Sequence, residues 1–147
     1  LRTTLMVGFP GETDELFERM LAFIQEHPFD RIGAFTFSPE EGTAAASMPN
    51  QVPEEVRQER LARLMETQRT ISRARNERRV GQTVEILVEG ANDGYAYGRS
   101  YAEAPDVDGK VILSNAANLP AGSFVTARLT RAEEYDMLGE LVPPTSR

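Results

Sequence analysis

Leu5-Met6-Val7-Gly8-Phe9-Pro10-Gly11-Glu12-Thr13 contains a strand, a turn and the entrance to a helix. The unbroken apolar run Leu5-Met6-Val7 predicts a strand buried on both faces, as the strands of parallel sheets are. Glycine and proline turn the chain from Gly8 to Gly11. Thr13 is placed to cap a helix, with Asp14 and Glu15 in the first turn, where carboxylates meet the positive end of the helix dipole. Leu16, Phe17, Met20, Leu21 and Ile24 follow at helical spacing until Pro28 stops the helix. Arg31-Ile32-Gly33-Ala34-Phe35-Thr36-Phe37 is short and aromatic and predicts a second strand. Strand, helix and strand form a right-handed βαβ unit on a parallel sheet. One such unit neither closes a barrel nor covers both faces of a sheet. A chain that opens inside a core element is therefore expected to be the tail of a longer enzyme. A half-sheet exposing Leu5, Val7 and Phe35 is expected to self-associate in water.

Outward from this unit, Ser38 to Val52 carries Pro39, Gly42 and Pro49 among alanines and serines, and reads as a surface loop. Pro53 suits the first turn of a long helix, with Glu54 and Glu55 behind it. Val56, Leu61, Leu64, Met65 and Ile71 form a narrow apolar stripe running towards Val80, and Gly81 is the stop. The remaining faces carry Arg57, Arg60, Arg63, Arg69, Arg73, Arg75, Arg78 and Arg79 and read as solvated, with an acidic neighbour or RNA as the minority alternative.

From Gln82 the pattern becomes short strands separated by turn signals. They are Thr83 to Glu89, Tyr95 to Tyr101, Lys110 to Leu113, Phe124 to Leu129 and Tyr135 to Leu141, with Asn92-Asp93-Gly94 as a tight turn. About five short strands suit a small closed barrel of the OB type, which leaves no sheet edge open. The tail from Pro143 to Arg147 reads as frayed. The expected fold is thus α/β plus all-β. Residues 1–52 form the end of an α/β barrel of TIM type, 53–81 a linking helix and 82–147 an OB-like antiparallel barrel.

Composition narrows the chemistry. The chain has no cysteine, so it supplies neither disulfides nor thiolate metal ligands, and no metal-binding residues are assigned. Its only histidine, His27, precedes Pro28 at a helix end, where an imidazolium is favoured by the dipole. No catalytic residue is assigned. No apolar run approaches the ~20 residues of a membrane span and no signal segment opens the chain, so a cytoplasmic location is expected. A net charge of -7 and a pI near 4.8 argue against unaided nucleic-acid binding, which needs a basic footprint.

Two turns sit where parallel sheets build their sites, at the carboxyl ends of strands. In Gly8-Phe9-Pro10-Gly11-Glu12-Thr13 the glycines admit close backbone approach and the helix N-terminus offers N–H groups to an anion. Phe37-Ser38-Pro39-Glu40-Glu41-Gly42-Thr43 follows the next strand, and its paired carboxylates could position a substrate or simply face solvent.

These segments, with Glu59-Arg60-Leu61 and Met65-Glu66-Thr67-Gln68 on the long helix, resemble the radical S-adenosylmethionine methylthiotransferases. The final barrel is similar to TRAM, the OB-like domain that ends those enzymes, so the resemblance covers the whole chain. Within the family, the tRNA-modifying branch usually shows an Arg-Pro pair where this chain has Glu40-Glu41. The ribosomal-protein branch carries the acidic pair, and its barrel shows Gly98-Arg99-Ser100-Tyr101, Ala104-Pro105 and Val107-Asp108-Gly109 as here. Tyr135-Asp136 and Leu138-Gly139-Glu140 look like the same branch. The resemblance implies methylthiolation of the β-carbon of an aspartate on small-subunit ribosomal protein twelve. It implies S-adenosylmethionine and two 4Fe–4S clusters, with part of the cofactor pocket at Gly8, Gly11, Glu12, Phe37 and Ser38. The candidate substrate-docking residues are Glu40 and Glu41 with Tyr95, Tyr97, Arg99 and Tyr101 on the barrel, although two of the three tyrosines could pack in the core. The departure from the family is the absence of every cluster-binding cysteine, so the chain alone is not expected to be active.

Charge gives an independent indication of the partner. From Gln82 onward ten acids face five bases, a balance of -5. Such a barrel repels phosphates and suits a basic ribosomal protein, so tRNA is the weaker expectation.

Overall fold

A computed structural model describes residues 1–92, 94–105, 108–116 and 118–143. The chain divides into two compact units, Leu1–Ser72 and Arg73–Arg147. In the first unit β1 (Arg2–Val7) and β2 (Arg31–Thr36) flank helix α1 (Asp14–Glu26). The strands pair in parallel, from Arg2 opposite Arg31 to Val7 opposite Thr36. Thr13 caps α1 as its spacing predicted, its Oγ1 accepting from the Leu16 N–H at 3.2 Å. His27 ends the same helix, its N–H donating to Phe23 O at 2.8 Å. The expected loop from Ser38 to Val52 contains one short 3-10 turn, Ala44–Ser47, before helix α2 (Glu54–Arg79), whose last residues continue into the second unit.

The β1–β2 pair buries one face, not two. Val7, Phe17, Leu21, Ile24, Ile32 and Leu64 form the core, with Leu5, Ala34 and Leu61 packed against it. Leu5 and Val7 therefore point into the packed side, contrary to expectation. Side chains alternate along a strand, so their neighbours turn the other way: Met6 is 41% exposed and Phe35, directly opposite it in register, 46%. Phe35 alone of the three residues expected on the open face lies there.

Along α2, Leu61, Leu64 and Ile71 of the expected apolar stripe meet the core, but the most buried line is a different one. Arg60, Leu64, Gln68 and Ser72 recur every fourth residue and are all buried, while Met65 is exposed. Residues four apart share a helix face, so one buried leucine brings polar neighbours inward with it. Arg31 Nη1 satisfies Ser72 by donating to its Oγ at 3.0 Å.

In the second unit β3 (Thr83–Asn92), β4 (Tyr95–Arg99), β5 (Val111–Ser114), β6 (Phe124–Ala132) and β7 (Met137–Leu141) close into a barrel. The order is β3-β4-β5-β7-β6, antiparallel except for the parallel pair β5–β7. Ile86, Val88, Val111, Leu113, Leu129 and Met137 fill it. The φ of +89° at Gly81 ends α2, and its N–H donates to Leu129 O at 2.7 Å. All five strands differ in their limits from the sequence reading, β3 running on to Asn92 and β5 lying one residue later, at Val111–Ser114. β4 stops at Arg99, leaving Tyr101 in a turn; β6 runs on to Ala132 past a bulge after Leu129; β7 begins at Met137, not Tyr135. Asp93 of the expected tight turn, Val107 of the Val-Asp-Gly motif and the tail from Pro144 lie outside the described residues.

Candidate functional site

The turns that leave β1 and β2 are both gripped by the first turns of α2. Gly8 takes a φ of +77°, and a Cβ added there would meet Arg57 Cγ at 2.2 Å, so only glycine admits the arginine stem. The Arg57 guanidinium continues past this point to donate to Phe37 O, and also pairs with Glu54. One turn further along, Arg60 Nη1 donates to Glu12 Oε1 at 2.8 Å and to Glu12 O at 3.2 Å. Its Nη2 reaches Asp14 Oδ1 at 2.7 Å. The Glu12 Oε1 accepts from the Gly8 N–H as well, at 2.9 Å. Burial of Arg60 works to lower its pKa, but hydrogen bonds to Asp14 and Glu12 outweigh that and raise it above the ordinary guanidinium value. The reading of Arg57 and Arg60 as solvated is thus overturned: an arginine can bury its stem while its fork meets carboxylates and carbonyls.

Gly8, Glu12 and Phe37 are joined through these two arginines. The ring of Phe37 stacks edge-on against Phe9 at 5.2 Å. The Gly11 N–H donates to Asn50 O, and the Glu12 N–H to Phe9 O, each at 2.9 Å. With Gly8 bonded to Glu12, these three N–H groups of the turn are all engaged within the chain. Ser38 Oγ donates to Glu40 Oε1 at 2.9 Å, so those two residues form a separate local pair. Glu41 is exposed beside them.

On the barrel, β4 turns Ala96 and Gly98 inward and Tyr95, Tyr97 and Arg99 outward. None of the three tyrosines lies in the core, because the inner positions of a small barrel at β4 accept only small residues: a Cβ at Gly98 would lie 2.1 Å from Leu87 O. Tyr95 Oη accepts from Asn92 Nδ2 at 3.0 Å, and Lys110 Nζ stands 4.4 Å over the Tyr97 ring. Arg99 pairs with Glu89. Tyr101 is 86% exposed.

Behind Tyr101 lies a buried ionic knot that charge counting missed. Glu103 and Ser100 are both buried. Arg79 Nη1 donates to Glu103 Oε1 at 2.5 Å, and Nη2 to Ser100 Oγ at 2.9 Å. The other carboxylate oxygen accepts from Ser100 N at 2.9 Å and Ser100 Oγ at 2.6 Å. Ser100-x-x-Glu103 is a capping-box spacing, the one sequence signal that pointed here. Among the described residues no group of His, Cys, Asp and Glu could hold a metal ion, and no helix is long and apolar enough to cross a membrane.

Residues 80–142 match the family model described as TRAM domain. The chain is similar to proteins named ribosomal protein uS12 methylthiotransferase RimO. It is 54% identical over 137 residues to that of Desulforudis audaxviator, covering 93% of this chain and 30% of the relative. It is 51% identical over 144 residues to that of Synechococcus sp. (strain JA-2-3B'a(2-13)), 97% of this chain and 30% of the relative. For Chromobacterium violaceum the identity is 49% over 141 residues, 95% of this chain and 32% of the relative. The chain spans about a third of the length of these relatives.

Proposed function

We propose that the chain belongs with the ribosomal protein uS12 methylthiotransferases, to which it is similar over nearly its full length, and that it forms part of such an enzyme, with its TRAM domain at residues 80–142. In this reading the whole protein methylthiolates the β-carbon of an aspartate on the small-subunit ribosomal protein, in the cytoplasm. The similarity over nearly the full chain, at about half identity, is the observation that carries it.

The reading brings with it S-adenosylmethionine and iron–sulfur clusters. The clusters do not fit these residues, since thiolates are their ligands and the chain has no cysteine. S-adenosylmethionine does fit the first unit. The turns after β1 and β2 lie at carboxyl strand ends, and beside them Met6 and Phe35 present an uncovered apolar pair suited to a flat adenine. When bound, the cofactor supplies the group that takes hydrogen from the substrate carbon. Gly8, Gly11, Glu12, Phe37 and Ser38 would border it. Arg57 and Arg60 touch no cofactor in this scheme; they hold the two turns at fixed spacing, and Glu40 and Glu41 stand at the rim towards substrate.

The barrel would dock the protein substrate through its outer face at Tyr95, Tyr97, Arg99 and Tyr101. Its excess of acids suits a basic partner, by speeding encounter and by rejecting polyanions. Titrating the chain with the basic ribosomal protein and with tRNA at two salt concentrations tests this. Salt-sensitive binding of the protein, and weak binding of tRNA, is the expected result. Tighter binding of tRNA would transfer the chain to the tRNA-modifying branch.

A further inference from the structure

The outer surface of the barrel holds a groove of about 540 Å³ between β3, β4 and β6. Leu87 forms its floor, opposite Arg99 on one side and Phe124 on the other. Phe124, 65% exposed, and Tyr101, 86% exposed, stand along it. Large aromatic surfaces exposed side by side mark a contact site. The Tyr101 side is also built rather than loose. Ser100 and Glu103, either side of it in the chain, are buried and tied to Arg79, so the most exposed aromatic of the barrel is carried on one of its most tightly bonded turns.

Charge and ring occupancy indicate what fits. Among the described residues the one cation lining the groove, Arg99, is already paired with Glu89. Glu85, on the same lining, is exposed and has no ion-pair partner among the described residues. Arg128 of β6 stands in register with Thr83 of β3 and Glu140 of β7, and no ion pair joins it to Glu85 among the described residues. The groove therefore offers an unneutralised carboxylate beside two aromatic faces, a combination that attracts cations and repels phosphates. Elsewhere on the barrel Tyr97 already carries Lys110 over its ring, whereas Tyr101 and Phe124 have no cation or ring partner among the described residues. We propose that this groove receives lysine and arginine side chains of a basic protein segment, with Tyr101 and Phe124 as stacking faces and Glu85 as the counter-charge. The inference rests on the reading of a basic protein partner, and narrows its contact site to the Arg99–Tyr101 end of the outer face, where Phe124 and Glu85 join it.

The test titrates the full chain with a fluorescent peptide rich in lysine and arginine, and in parallel with a single-stranded RNA. Tyr101→Ala and Phe124→Ala should each weaken peptide binding about threefold to tenfold. Tyr101→Phe should retain it, and Glu85→Gln should reduce its salt dependence. Thermal midpoints should not change, since Tyr101 and Phe124 stand in solvent. If the Tyr101→Ala and Phe124→Ala variants bind the peptide as well as the wild type does, the groove is overturned and the basic-partner reading survives. If the wild type binds RNA more tightly than the peptide, that reading falls and the groove with it.

Discussion

Burial alone would push the Glu103 carboxyl towards protonation, because a desolvated charge is costly. Hydrogen bonds from Arg79 and Ser100, with the Arg79 charge, outweigh it and hold the pKa below the ordinary carboxylate value. A carboxylate with a depressed folded pKa stabilises fully above its unfolded pKa, and that stability is lost as the pH falls through the folded value. The barrel should therefore weaken below about pH 4. Glu103→Gln should cost about 3 kcal/mol at neutral pH and flatten the acid limb of a urea-denaturation series. An unchanged acid limb would show that another carboxylate governs it. Arg60→Ala should likewise cost about 3 kcal/mol or more, since it strands the part-buried Glu12 carboxylate. Arg60→Lys should recover only part of this, because a point charge cannot serve Glu12 and Asp14 as a fork does. Equal stability of Arg60→Ala and wild type in urea would refute the clamp. Neither arginine was legible as buried. Composition counts charges without their partners, and Arg79 meets Glu103 across 24 residues that only barrel closure brings together.

At the level of elements, period and punctuation carried most of the information. Thr13, Pro28, Pro53 and Gly81 bound the two helices as their chemistry requires, and each of the five expected barrel strands is present with its limits shifted. What alternation could not give was the face. On β4 the inward positions are Ala96 and Gly98, so three large side chains face outward, a choice made by Leu87 of the neighbouring strand and invisible in β4 itself. Gly98→Ala tests this directly. Its Cβ would lie 2.1 Å from a backbone oxygen, which no rotamer change can relieve. The substitution should destabilise the barrel by more than about 3 kcal/mol and open the β3–β4 ladder to amide exchange. Protection of those amides like that of the wild type would show that β4 can shift at little cost. The candidate site was half legible for the same reason: motif order located its turns, while the arginines that grip them come from α2, where a run of arginines reads as solvated.

At the scale of the whole chain, the two units differ in how completely their sheets are satisfied. The barrel pairs every strand on both sides and leaves no edge. The first unit has two strands, and each has a single partner among the described residues, with α1 and α2 against one face and Met6 and Phe35 open on the other. Two hydrophobic clusters of such different closure need not unfold together, so a two-state description should fail for this chain. Denaturation should begin in the first unit while barrel amides stay protected, which hydrogen exchange across a guanidinium series would resolve. The open face also determines association. Apolar side chains held side by side on a sheet with free edges seek cover from another copy when nothing else supplies it. The isolated chain should therefore sediment as a concentration-dependent oligomer, and Met6→Glu with Phe35→Lys should return it to monomer without changing the barrel's melting. Oligomers that persist in that double variant would place the contact on the barrel instead. The Tyr101–Phe124 groove would then become the surface to mutate next, because it carries the two most exposed aromatic side chains among the described residues.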